Sequence, residues 1–498
     1  MFEAAEVGHR ISKATYTRRE PDVRTGLLEA QRHLATSDKA VVVLIGGAEG
    51  AGKEETVSLL LAWMDARGIE THAMWEETDE ERERPPFWRF WRVLPPKGKM
   101  AILFGSWYSA PIIDRVFDET DDLIFEREMR RIADFEQMLA NEDVLLVKLW
   151  LHLAKDAQKR RLKKMKRDPR RRWRVSEATW KFFKQYDAFR RVSGRAVELT
   201  STGSAPWVIV EAEDDRYRNL TVGTTLLHAL RDGLAEAPPT SPAAPDVLDR
   251  AHAPLPAARE VNVIRELDLT RHLAEAQYDR LLPEYQAKLA KLARKLHDSR
   301  RSLILAFEGP DAGGKGGAIR RLTAAIDPRL FRVTSVAAPT DEERARPYLW
   351  RFWRDLPRRG HITIYDRSWY GRVLVERIEG FCAPADWHRA YSEINAFEEQ
   401  LAEFGIIVLK FWLAIGSEEE LRRFKDRQTT PYKQYKLTEE DWRNRAKWDA
   451  YEAAAADMVE RTSTDHGPWI LVEANDKNWA RIKVIKAVVR ALKTGLKK

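Results

Sequence analysis

Short runs of consecutive apolar residues alternate along this chain with longer stretches in which apolar residues return at helical spacing. Val41 to Ile45 and Leu303 to Phe307 are the clearest short runs, and each leads into a glycine-rich turn. Further strands are expected at Met100 to Phe104, Val144 to Leu149, Trp207 to Val210, His361 to Tyr365, Ile406 to Phe411 and Trp469 to Val472. Helical patterning precedes the first strand of each half (Gly26 to Ala35 and Tyr278 to Leu296) and fills segments such as Ala385 to Phe404. Strands apolar on both faces, separated by amphipathic helices, predict a parallel sheet covered on each side. The expected class is α/β.

The pattern occurs twice. VVVLIGGAEGAGK ends at Lys53 and LILAFEGPDAGGK ends at Lys315, 262 positions later (315 − 53). The same offset relates Thr78-Asp79-Glu80-Glu81-Arg82 to Thr340-Asp341-Glu342-Glu343-Arg344, and Ser106-Trp107-Tyr108 to Ser368-Trp369-Tyr370. It still holds at Trp180/Trp442 and at Pro206-Trp207/Pro468-Trp469. A tandem duplication with almost no net insertion follows. Six prolines among alanines between Ala235 and Arg259 favour an extended connector. The expected division is therefore a domain at 1–234, a linker at 235–259 and a second domain at 260–498.

Length and composition change this picture little. A chain of 498 residues with 44% hydrophobic content can bury two sizeable cores. The start of the chain is charged, no run approaches membrane-spanning length, and the expectation is a cytoplasmic protein with no membrane partner. One cysteine, Cys382, excludes an intrachain disulfide or a cysteine-based zinc cluster. The formal charge of +8 points mildly to polyanions, leaving nucleic acid, nucleotides and polyphosphate open.

Gly309-Pro310-Asp311-Ala312-Gly313-Gly314-Lys315 has the spacing of a phosphate loop. Glycines let the backbone turn its amide hydrogens inward, the next helix adds its positive end, and the lysine reaches phosphate oxygens. Gly316 and Gly317 replace the hydroxyl that usually follows the lysine, so a metal ion here needs carboxylates. Asp311 and Asp366 are the candidates. Asp366 ends a strand, where a doubly wound sheet presents ligand groups, and Arg367 follows it directly. The plainer reading of that pair is a buried Asp–Arg contact capping a helix.

FEGPDAGGKGG, DEERARPYLWRFWR, YDRSWYGRVLVER, RQTTPYKQYKLTEEDW and VEANDKNWARIKVI together resemble the second polyphosphate kinase family, and the tandem arrangement resembles its two-domain AMP-using members. The likeness covers nearly all of Gly309 to Lys486 and, more weakly, Gly46 to Arg216. It implies two tandem P-loop kinase-like αβα sandwich domains with parallel sheets and helical lids. It also implies a Walker A loop at Gly309 to Lys315, a Walker B pair at Asp366 and Arg367, a lid arginine at Arg427 and a supporting acid at Glu376. On that reading Asp311, Lys315, Asp366, Arg367, Arg427 and Glu376 are catalytic. Gly309, Gly313, Gly314, Gly316, Gly317, Arg344, Arg372 and Lys436 bind phosphate or nucleotide. Mg2+, with Mn2+ as a substitute, sits on Asp311 and Asp366.

The first copy breaks the set. Asp366 and Arg367 correspond to Phe104 and Gly105, Gly316 and Gly317 to Glu54 and Glu55, Arg372 to Ala110 and Arg427 to Met165. Phenylalanine binds no magnesium, and two carboxylates at a helix start repel phosphate. The first domain is expected to be inactive. The function expected of the second is Mg-dependent, reversible phosphoryl transfer from inorganic polyphosphate to AMP, with AMP and ADP as partners, no nucleic acid, and self-association left open. The rival readings are an ATP-dependent nucleotide kinase, an ADP-accepting polyphosphate kinase and a non-catalytic polyanion binder. Eleven of the sixteen residues from Lys159 to Arg174 are basic, which reads either as a solvated face or as a polyanion surface.

Overall fold

The computed structural model describes residues 2–74, 76–170, 172–235, 262–431, 434 and 437–497. Apart from Ala235, the expected linker lies outside the described residues, and so does Lys436. Contacts divide the chain into two compact units. One gathers residues within Met1–Glu77, Phe87–Ser241 and Pro339–Trp350; the other gathers those within Thr78–Pro86, Pro242–Ala338 and Arg351–Lys498.

In the first unit the strands are β1 (Ala40–Gly47), β2 (Ile69–Ala73), β3 (Met100–Phe104), β4 (Val144–His152) and β5 (Trp207–Glu211). They form one sheet in the order β2-β3-β1-β4-β5, every pairing parallel. Central β1 explains the uninterrupted apolar run: Val41, Val43 and Ile45 enter the core beneath the helices Lys13–Leu34, Lys53–Trp63 and Asp215–Leu234. Val42 and Leu44, equally buried, face the opposite side.

The second unit repeats this with β6 (Ser302–Glu308), β7 (Phe331–Ser335), β8 (Ile362–Asp366), β9 (Ile406–Ala414) and β10 (Trp469–Glu473), ordered β10-β9-β6-β8-β7 and again wholly parallel. Its core sets Leu303, Leu305 and Phe307 against Leu289, Leu322 and Val488. Both domains are thus αβα sandwiches on one plan. The expected strands all form, and β2 and β7, which the apolar pattern did not announce, are edge strands carrying mostly exposed or half-buried residues. Among the described residues no helix is long and apolar enough to cross a membrane.

Each domain also buries a lysine–glutamate ion pair. Lys410 Nζ lies 2.7 Å from Glu398 Oε2 and donates to the carbonyl of Thr462 at 2.6 Å, with both charged side chains fully buried. Trp369 and Tyr370 donate to the other oxygen of Glu398, at 3.0 and 2.7 Å. Lys148, Glu136, Thr200, Trp107 and Tyr108 reproduce this network in the first domain. Its presence in both copies, only one of which keeps the Asp–Arg pair, marks it as scaffold: it pins the segment after β3 or β8 to the sheet.

Candidate functional site

The phosphate loop follows β6, at the carboxyl edge of the sheet. Gly309 (φ 142°), Ala312 (φ 58°) and Gly314 (φ 105°) hold left-handed backbone, and the helix Lys315–Thr323 begins at Lys315. At Gly309 a side chain is impossible, because a Cβ would stand 2.6 Å from the carbonyl oxygen of Leu413. Lys315 is buried and its ammonium donates to the carbonyls of Gly309 at 2.6 Å and Pro310 at 3.1 Å. Burial, and then the Arg367 guanidinium, lower its pKa below the usual lysine range.

Asp311 and Arg367 meet above this loop, with Nη2 donating to Oδ1 at 2.7 Å. The amide of Asn444 donates to the other oxygen of Asp311 at 2.8 Å, and the Tyr451 hydroxyl donates to Asn444 Oδ1 at 3.1 Å. Burial pushes the Asp311 carboxyl up, but the cations of Lys315 and Arg367 outweigh it and hold the group below the ordinary aspartate range. Asp366 is different. Among the described residues its carboxylate makes no hydrogen bond or ion pair, and Oδ2 stands 4.0 Å from where a Cβ on Gly316 would lie. A half-buried carboxylate left open beside the start of a phosphate-loop helix has the chemistry of a cation ligand.

Glu308 sits under the loop. It is buried, accepts from Ser368 Oγ at 2.7 Å, and burial raises its carboxyl above the usual range. Sequence reasoning missed Glu308, Asn444 and Tyr451. Reading the offset would have found them, since the first copy has Gly46, Phe182 and Phe189 in their places. Arg423 was also missed; it ties the loop to the sheet by donating to the carbonyls of Ala312 (2.8 Å) and Ala474 (2.6 Å).

A cavity opens from Glu308, Asp311 and Arg367 between aromatic walls of Trp412, Trp448 and Tyr451. The buried indole N–H of Trp412 has no hydrogen-bond partner among the described residues. Ile264 also lines it. In the first domain the counterpart of Ile264 is Phe2, which is buried and stacks on His152 with ring centroids 4.5 Å apart. Phe2 also stacks on Trp150 at 6.1 Å.

The other anticipated residues are spread more widely. Arg427, on the helix Ser417–Thr429, lies 3.6 Å from Asp441 and adds to the field that holds Asp311 ionised. Arg372 pairs with Glu376 at 3.0 Å, and Nη1 is 4.0 Å from Asp386, so these two form their own cluster. Arg344 belongs to the helix Asp341–Arg344, which groups with the first unit, and pairs there with Asp341. In the first domain Lys53 donates to the carbonyl of Gly47 at 3.1 Å and lies 3.5 Å from Glu49. Glu54 and Glu55 are both engaged by Arg174, at 3.1 and 3.0 Å.

Comparison with known proteins follows the same division. The family model for polyphosphate kinase 2 matches residues 10–238 and again 272–498. A polyphosphate:AMP phosphotransferase of Pseudomonas aeruginosa is 51% identical over 502 residues, covering 100% of both chains. One from Acinetobacter johnsonii is 37% identical over 488 residues, covering 95% of this chain and 96% of that one. The crystal structure of a putative polyphosphate kinase 2 from Pseudomonas aeruginosa superposes with a TM-score of 0.90 at 50% identity, covering 100% of each chain.

Proposed function

The chain belongs to the polyphosphate kinase 2 family, and we infer that it transfers the terminal phosphoryl group of inorganic polyphosphate to AMP, forming ADP, through one site in its carboxyl-terminal domain. The observation that carries this reading is the contrast between the copies. One sets the Asp311–Arg367 pair at an aromatic cavity and keeps Lys315 in the loop and Asp366 at the strand end; the other has Phe104 and Gly105 at that strand end. The names of the full-length relatives supply the donor and the acceptor.

Loop amides from Gly309 to Gly317 and the Lys315 ammonium bind phosphate oxygens. Arg367, fixed by Asp311, and Arg427 set positive charge beside the transferring group, where charge spreads over the equatorial oxygens of a loose transition state. AMP brings an ionised phosphate as nucleophile, so positioning and charge neutralisation carry the rate and no general base is required. The reaction exchanges one phosphoanhydride for another, which makes it reversible.

The cavity supports a nucleoside acceptor: its aromatic walls suit a planar base. Asp366 would hold a divalent cation such as Mg2+, which supplies neutralisation of phosphate oxygens. Asp311, already committed to Arg367 and Asn444, would act on that cation through water or by exchanging a partner. Among the described residues no three His, Cys, Asp or Glu side chains converge as a metal cage. That suits magnesium, which keeps several waters and takes few protein ligands. Measuring ADP formed from AMP and Mg2+ with either polyphosphate or ATP as donor tests the reading; ADP formed from ATP alone overturns it.

A further inference from the structure

The strongest unassigned feature is the basic face of the helix Lys155–Arg167 in the first domain. Lys159, Lys163 and Arg167 recur at every fourth position and so share one stripe, with Lys164 beside it. All four are exposed, and among the described residues none forms an ion pair or hydrogen bond through its side chain. Arg170 and Arg172 extend the charge beyond the helix in the same unpaired condition. Other cations of the run do have partners: Arg160 with Glu213 at 2.9 Å, Arg161 with Asp215 at 2.7 Å, and Arg174 with Glu54 and Glu55. Like charges four apart on a helix repel, a cost that the helix dipole offsets only in the last turn, at Lys164 and Arg167.

The duplicate helix Ser417–Thr429 shows what the charge is not for. The counterparts of Lys159, Lys164 and Arg167 are Leu421, Asp426 and Thr429, and Arg422 there is paired with Glu419 at 2.7 Å. Arg427 of this helix, which adds to the field at Asp311, is Met165 in the first domain. Three of the four positions thus carry positive charge only in the first domain, while Lys163 has a lysine, Lys425, as its counterpart.

We propose that this face of the amino-terminal domain binds long-chain polyphosphate. The inference rests on the donor assigned above and adds a second contact for it, outside the catalytic site. A helix of 13 residues presents a face of about 20 Å at 1.5 Å per residue, enough to engage several successive phosphates of a long chain. Single-stranded nucleic acid is the competing polyanion, and it calls for several aromatic platforms. Trp173 is the only aromatic residue in the run, 73% exposed, with Arg174 lying 5.3 Å from its ring.

The test is the full-length variant K159Q/K163Q/K164Q/R167Q, assayed with long-chain polyphosphate and with tetraphosphate. The proposal expects KM for the long chain to rise about tenfold, while kcat, KM for AMP and KM for tetraphosphate stay unchanged. It also expects the slope of log affinity against log salt to fall by about 3, from roughly 0.7 per released counterion. A control neutralising Arg10, Lys13, Arg18 and Arg19, all exposed in the same domain, should leave the long-to-short ratio unaltered. An equal effect on both chain lengths, no effect on either, or the same effect from the control overturns the proposal. So does a W173A variant in which single-stranded RNA binding collapses while the wild type prefers RNA to polyphosphate. Wild-type protein that uses no polyphosphate of any length instead refutes the donor assignment, a different result.

Discussion

Arg367 reaches Asp311 at 2.7 Å from a backbone held at φ 62°, while its duplicate, Gly105, keeps the same left-handed turn at φ 78° without a side chain. A non-glycine residue there costs on the order of 1 kcal/mol, and such strain concentrates where function demands a side chain. The copy that lost the guanidinium has the residue best suited to the turn.

Replacing Arg367 therefore separates stability from activity. Arg367→Gly and Arg367→Ala should each lower kcat/KM at least a hundredfold, about 3 kcal/mol of lost transition-state stabilisation. Arg367→Gly should melt higher than Arg367→Ala by an amount equivalent to about 1 kcal/mol, since only the alanine retains the strained backbone. Calorimetry and steady-state kinetics on the two proteins check this; equal melting points would remove the strain argument.

Lys315→Ala and Asp366→Asn should abolish nearly all turnover, whereas Lys53→Ala should leave most of it. Lys53 is held among Gly47, Ala48 and Glu49 and has no carboxylate at the strand end to work with, since Phe104 stands there. Comparable losses in Lys53→Ala and Lys315→Ala at saturating substrate would mean that both domains turn over.

The buried pairs should behave as scaffold. Lys410→Met leaves Glu398 charged or forced to protonate in the core, and Lys148→Met does the same to Glu136. Each should destabilise its domain by about 3–5 kcal/mol, and the double variant Lys410→Met/Glu398→Leu should recover part of that loss. Thermal unfolding of the three proteins provides the measurement; recovery absent from the double variant would indicate a role beyond pairing.

Glu420, buried at the cavity wall 3.2 Å from Arg445, has its carboxyl raised from the usual 4.5 to about 7, chiefly by burial, with Asp311 adding to the rise and Arg445 opposing it. Because the folded value exceeds the unfolded one, protonation favours the folded state. Its contribution is complete below pH 4.5 and disappears as pH rises through about 7. Glu420→Gln should accordingly flatten the decline of melting temperature across that window. Parallel curves for the two proteins would show that Glu420 does not titrate there.

Sequence alone determined the duplication, the parallel αβα architecture and the loop at Gly309 to Lys315, because each depends on local or periodic information. A 262-residue offset survives substitution at most positions, a strand buried on both faces must be apolar at successive positions, and a phosphate loop needs glycine at fixed spacing. The offset likewise exposed Phe104 and Gly105. What tertiary structure decided was pairing across long separations. Asn444 meets Asp311 only once a helix more than a hundred residues downstream lies against the loop. Likewise, Phe2 is buried against Trp150 and His152 of β4, a packing that no local pattern near the start of the chain announces. Glu308 and Asp366, both carboxylates at strand ends, look alike in sequence; burial raises one and leaves the other open beside the loop. Solvent exposure and partner geometry set the chemistry of a carboxylate, and both arise only from the folded chain.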